Sequence, residues 1–346
     1  MLYQYVKDDF DGVARFVDDK MAEGRSFCLF RLPGDADGTL WVISDLFADD
    51  DKHRLTARVR PWQQPNWIDF STLQDRAVPR MEVCPESTPK EYYLGSISSL
   101  TKELAQRGGK TVICRNICGT FDGFSLWPMV RRYFDETEGN GALTFLFRHP
   151  STGFWMGSTP ELILERTMGR AFHTIALAGT RRAGELGPWD DKNIEEHRLV
   201  ADDIERRLRG LGFDFSRSDM RELAYGRIEH LCTDFESGIV EDYSRERFDA
   251  VVDELEPTPA VAGFPREEAL AEIEKYELWP RHCYGGCLNI AGVRVNMTYG
   301  ILRCVHFDDK RWAVYTGSGI TALSNPEAEW VETEAKAAPL LNVLGV

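Results

Sequence analysis

The 346-residue sequence has no apolar run long enough to cross a bilayer. Its start, MLYQYVKDDFDGV, lacks the basic stretch and apolar core of a secretory signal. Membrane insertion and export are therefore not expected, and the expected location is the cytoplasm. A basic excess is missing too: 41 Lys and Arg stand against 56 Asp and Glu, a formal charge of −15. No basic stripe suggests a nucleic-acid partner. An anionic ligand would have to be drawn in by local cations, amide donors or a metal, against the overall field. The eight cysteines form no CxxC pair. Cys114/Cys118 and Cys283/Cys287 have CxxxC spacing, but no histidine completes a zinc pattern, so reduced structural thiols are expected. Internal repeats and Gly/Ser linkers are also absent, which leaves one compact unit.

What is present is a series of strand-like segments joined by short turns. They include SFCLFR (26–31), TLWVIS (39–44), the apolar run 111–117, ALTFLFRH (142–149), GFWMGS (153–158), ELILER (161–166) and AFHTIAL (171–177). Later strands are predicted within 293–307 and 311–317, and helices at about 91–108, 190–210, 265–278 and 326–344. Short connections favour antiparallel pairing over a βαβ array. The fold class is therefore α+β, with large, mostly antiparallel sheets.

Two helices carry carboxylates where apolar residues are expected. Val200, Ile204, Leu208 and Leu211 form a stripe, and one step of four back along it lies Glu196. Two readings stand: an inward carboxylate that needs a partner, or an acid in a fraying first turn favoured by the helix dipole. In the last helix Glu332, Lys336 and Leu340 are spaced by four, with Glu329 three before Glu332. A surface Glu–Lys pair would explain that spacing. Two helices each offering an inward glutamate would instead suit magnesium, which takes a few carboxylates plus waters and substrate oxygens. Glycine-bearing segments, LAGTRRAG (177–184) and YTGSGIT (315–321), read as strand-ending turns whose amides could approach an anion.

Read in order, ten segments resemble the chorismate-utilising enzyme family. They are GKTVICR (109–115), GSTPELILER (157–166), ALAGTRRAG (176–184), KNIEEHRLV (192–200), IEHLCTDFESG (228–238), PTPAVAGFP (257–265), RHCYGG (281–286), ILRC (301–304), TGSGI (316–320) and EWVETEAK (329–336). The match covers roughly the C-terminal two thirds, taken as a catalytic region at 86–346, while 1–85 forms an N-terminal part of the same fold. The resemblance implies a single large fold of two closely packed α/β subdomains with helices outside, chorismate as substrate and Mg²⁺ as cofactor. It places Glu196, Glu332 and Glu329 at the metal, and Lys336 and Arg303 at substrate carboxylates. Gly317, Gly319, Thr180, Ala260 and His230 fall at positions lining the pocket.

Within the family the nucleophile separates the members. Lys110 matches the lysine that resembles the base of the isochorismate-forming enzymes, and Glu161 the acid opposing it. These imply attack of water at C2 and loss of the C4 hydroxyl, a reaction that serves both menaquinone and siderophore synthesis. Ala178 stands where aminodeoxychorismate synthases carry a nucleophilic lysine, and Ala260 where salicylate synthases tend to carry threonine. No amidotransferase partner is implied. Salicylate synthesis, amination of chorismate and a silent chorismate-binding module stand as alternatives. One departure is Glu256, which replaces the family's histidine before PTPA and would place a negative charge near an anionic substrate unless paired.

Overall fold

The computed structural model describes residues 2–5, 9–34, 38–44, 55–70, 80–166, 171–226, 228–240, 244–292 and 296–346. Two sheets form its centre. The first has nine strands, in the order Leu2–Tyr5, Leu40–Ile43, Phe27–Arg31, Leu143–His149, Gly153–Thr159, Cys304–Phe307, Arg311–Ile320, Lys110–Thr120 and Gly263–Phe264. The second runs Phe215–Arg217, Ile228–Ser237, Phe172–Arg182, Leu162–Arg166, Asn296–Gly300, Cys287–Ala291, Thr56–Arg60 and Ile68–Asp69, with Arg221–Tyr225 also paired to Ile228–Ser237. Among the described residues every strand pairing is antiparallel.

Period-two alternation explains the layering. In Leu143–His149, Leu143, Phe145 and Phe147 enter a core shared with Leu177, Leu288, Ile290 and Tyr299 of the second sheet. Leu146 points the other way, to a second core with Val13 and Val17 of helix Phe10–Ala22, Val130 of helix Leu126–Glu136 and Leu340 of helix Pro326–Leu344. The second sheet's outer face packs on helices Asp191–Gly210 and Arg245–Leu255 through Val200, Ile204, Phe248 and Val252. The result is helices, sheet, sheet, helices, with the helices outside.

The sequence reading located most of these elements and missed others. Segment 293–307, where strands were expected, holds two of them in different sheets: Asn296–Gly300 belongs to the second and Cys304–Phe307 to the first. Its first residues, 293–295, lie outside the described ones. Between the two strands Arg303 takes a left-handed backbone, φ 47°. The strands of the N-terminal 85 residues are spread over both sheets rather than set apart.

Candidate active site

The cavity between the sheets gathers residues from ten separated parts of the chain. It is lined by Lys110, Glu161, Thr180, Glu196, His230 and Ala260, and further along by Arg303, Gly317, Gly319 and Lys336. Glu329 and Glu332 line an adjoining cleft that shares Thr180. Lys110 opens the strand Lys110–Thr120, and Gly317 and Gly319 lie beside it on Arg311–Ile320, where Gly319 pairs with Val112.

Glu196 is placed by its helix. Asp190 caps the N-terminus, its side chain accepting from Asn193 N at 2.8 Å, and the face carrying Val200, Ile204 and Leu208 is buried. Glu196 shares that face, 5% exposed, with its Oε1 2.9 Å from Lys110 Nζ. This is an inward, paired carboxylate and not a fraying first turn. Burial alone would raise its pKa, but the ammonium groups of Lys110 and Lys192 outweigh it and hold the carboxylate well below its usual range.

Glu161 sits in the opposite regime. Burial lifts its pKa to about 7, moderated by a hydrogen bond that Thr258 Oγ1 donates to Oε1 at 3.0 Å and by the charges of Lys110 and Arg303. Tyr225 and Cys232 also feel its charge. A carboxyl that exchanges its proton near neutrality is suited to general acid work.

His230 is tied in one tautomer. A carbonyl can only accept, so Nδ1 carries the proton given to Gly179 O at 2.8 Å, and Nε2 accepts from Arg303 Nη2. Burial, with the charges of Arg303 and Lys336, holds this imidazole neutral by lowering its pKa well below the ordinary value. Its role in this geometry is to aim the Arg303 guanidinium, whose own pKa falls to about 10 on burial. Thr180 contributes its backbone N–H to Asn193 Oδ1, 2.9 Å away.

The glycine segments need correction. Gly317 and Gly319 lie inside a strand, not in a turn, and neither has a positive φ. What their missing side chains provide is room: a methyl at 319 would collide with the Glu196 carboxylate and Lys110 Cε, and one at 317 would meet the Tyr284 hydroxyl. Gly179 is likewise within a strand, at a bulge between Ala178 and Arg181, and its φ of 75° requires glycine.

Around the second cleft three carboxylates surround one ammonium. Lys192 Nζ lies 3.0 Å from Glu196 Oε2, 3.2 Å from Glu329 Oε1 and 4.0 Å from Glu332 Oε2. Glu332 in turn pairs with Lys336 at 2.6 Å, and Lys336 donates to Gly317 O at 3.1 Å. Glu329 is 3% exposed; Ser324 donates to its Oε1, while its buried Oε2 has no hydrogen-bond partner. Burial raises the Glu329 pKa to about 7 against the pull of Lys192. Among the described residues no three acidic, histidine or cysteine side chains are already grouped to hold a metal. The donor set nevertheless fits a hard divalent cation once the ammonium leaves: three carboxylates converge on one cationic centre, and one of them keeps an unused buried oxygen.

Sequence reasoning missed Thr258, Tyr284 and the part played by Lys192, although all three lay in quoted segments. Thr258 and Tyr284 carry no signal without knowledge of what they face. Lys192, four before Glu196, could have been found from its i,i+4 spacing. Glu256 is resolved: it pairs with Arg60, which also binds Asp253. Its charge is thus neutralised on the side of helix Arg245–Leu255, and it is absent from the cavity lining.

Residues 35–345 match the family model described as chorismate binding enzyme. Isochorismate synthase MenF of Haemophilus influenzae is 30% identical over 220 residues, covering 60% of this chain and 50% of that protein. Isochorismate synthase EntC of Escherichia coli K12 is 27% identical over 292 residues, covering 80% and 72%. The chain thus spans half the length of the first of these relatives. The solved structure of MenF, the menaquinone-specific isochorismate synthase of E. coli, superposes with a TM-score of 0.66 at 21% identity, over 99% of this chain and 88% of that one, a likeness of fold.

Proposed function

Because the chain belongs to the chorismate binding enzyme family, we propose that it isomerises chorismate to isochorismate. The observation that carries this reading is the meeting in one cavity of Lys110, at the start of a first-sheet strand, and Glu161, in the connection between strands Gly153–Thr159 and Leu162–Arg166, with Arg303 and Lys336 available for carboxylates. Lys110 acts as base after its ammonium has given up a proton to solvent. Water attacks C2 as the Lys110 amine takes its proton, and the Glu161 carboxyl gives a proton to the C4 hydroxyl as it leaves. Each group then holds the proton state opposite to its starting one, and exchange with solvent resets the pair.

Binding and orientation fall to the cations. Arg303, held by His230, and Lys336, held by Glu332 and Gly317 O, present fixed donors to an anionic substrate in a chain whose overall charge would repel it. Their hydrogen bonds are made before substrate arrives, so little reorganisation is needed during reaction. Glu196, Glu329 and Glu332 would hold Mg²⁺, which supplies charge compensation for a substrate carboxylate. Ala178 offers no amine for covalent attack, which supports water over an enzyme nucleophile.

The test is incubation of purified protein with chorismate and MgCl₂, with products separated by chromatography and identified by mass and ultraviolet spectrum. An isomer of unchanged mass, lost with EDTA, is expected. Salicylate with pyruvate would move the assignment to salicylate synthesis, and an aminated product in the presence of ammonia would move it to that branch.

A further inference from the structure

The three carboxylates and the ammonium among them form an alternating chain of charge: Lys110, Glu196, Lys192, then Glu329 on one side and Glu332 with Lys336 on the other. When all are ionised, three acids face three ammonium groups, so the seat is closed by ion pairs without a metal. Lys192 is the hinge of this chain, because among the described residues it alone pairs with all three glutamates. A divalent cation and an ammonium cannot share these oxygens at contact distance, since two positive charges a few ångströms apart in a largely buried cleft repel strongly.

We infer that Lys192 is an internal stand-in for the divalent cation, closing the carboxylate seat when metal is absent and swinging out when it binds. The side chain has somewhere to go. Lys192 also lines the adjoining cleft, whose wall includes Glu185 and Asp190, so an outward rotation trades buried carboxylates for a solvated acidic rim. The unused Glu329 Oε2 marks the seat as larger than the ammonium satisfies. Metal affinity is then set by competition: the cation gains the carboxylates but must replace an ion pair already in place. The lysine also spares the apo chain from three close acids with only two ammonium groups, Lys110 and Lys336, to balance them. This inference rests on the glutamates being the metal seat.

The experiment uses the full chain, with MgCl₂ alone as titrant and no substrate. Calorimetry compares wild type with Lys192→Met and Lys192→Arg, and acylation of lysines by an anhydride reagent is mapped by peptide mass spectrometry with and without Mg²⁺. Lys192→Met is expected to bind Mg²⁺ at least tenfold tighter, to unfold at lower temperature without metal, and to regain that loss when Mg²⁺ is added. Lys192→Arg, which keeps the positive charge, should bind no tighter than wild type. Acylation of Lys192 in the wild type should rise several-fold on adding Mg²⁺. Equal or weaker Mg²⁺ binding by Lys192→Met, or labelling of Lys192 indifferent to Mg²⁺, overturns the inference; if Lys192→Met does not fold, the wild-type labelling decides alone. Neither readout needs turnover, so a protein that shows both but leaves chorismate unchanged disproves the proposed reaction and keeps the stand-in. Absence of Mg²⁺ binding in wild type and variants removes the stand-in and leaves product analysis to judge the reaction.

Discussion

Glu161 and Glu196 are both buried carboxylates lining one cavity, yet they sit in opposite protonation regimes. Glu161 meets a single hydroxyl donor, with Lys110 and Arg303 felt only at a distance, and burial wins: its pKa rises to about 7. Glu196 has two ammonium groups at hydrogen-bond distance, and they win: its pKa is held well below the ordinary value. Desolvation acts on both alike, so cations in direct contact decide the outcome. One carboxyl is thereby kept available as a proton donor and the other as a permanent anion.

The largest effect should come from breaking the ionised side of this pair. Glu196→Gln leaves the Lys110 and Lys192 ammonium groups without their shared carboxylate, and loss of one partner of a buried pair costs roughly 3–5 kcal/mol. Urea unfolding measures it; a cost under about 1 kcal/mol would mean that the pair is well solvated. Glu161→Gln removes the proton donor, and kcat should fall by roughly 10²–10⁴ while chorismate still binds. Its effect on stability has the opposite sign. A carboxyl whose folded pKa exceeds its unfolded value binds more protons when folded, so wild-type stability declines as pH rises from about 4.5 to about 7. Glu161→Gln escapes that decline, and its advantage over wild type should grow to about 3 kcal/mol by pH 8, at about 1.4 kcal/mol per pH unit.

Two smaller changes sharpen the contrast. Gly319→Ala forces a methyl against the Glu196 carboxylate and Lys110, and should cost roughly 1–3 kcal/mol, read as a drop in thermal midpoint. Thr258→Val removes the donor that lowers the Glu161 pKa. Wild-type kcat/KM should fall as pH rises through about 7, and in the variant this limb should move up by roughly one unit. A limb that stays in place would assign the transition to another group.

Legibility followed locality. Glu196 was visible because a helix repeats every 3.6 residues, so the stripe through Val200, Ile204 and Leu208 points at it. The order of the ten segments was equally visible, and with it the family. The glycines at 317 and 319 were misread because a strand that needs space looks the same in sequence as a turn that needs a positive φ. Thr258 was not legible as a partner of Glu161, since 97 residues separate them. Arg60 as the partner of Glu256 was hidden for the same reason, across 196 residues.

By itself, the sequence determined the α+β class, the amphipathic faces, the apolar strands and the residue types able to do acid, base and carboxylate-binding chemistry. Those properties depend on backbone periodicity and on each side chain's own chemistry. Only the tertiary structure decided which carboxylate is an acid and which an anion, that Glu256 is neutralised away from the cavity, and that Lys192 sits where a cation belongs. The physical reason is that electrostatics depends on distance and burial, and both are set by contacts between residues far apart in the chain.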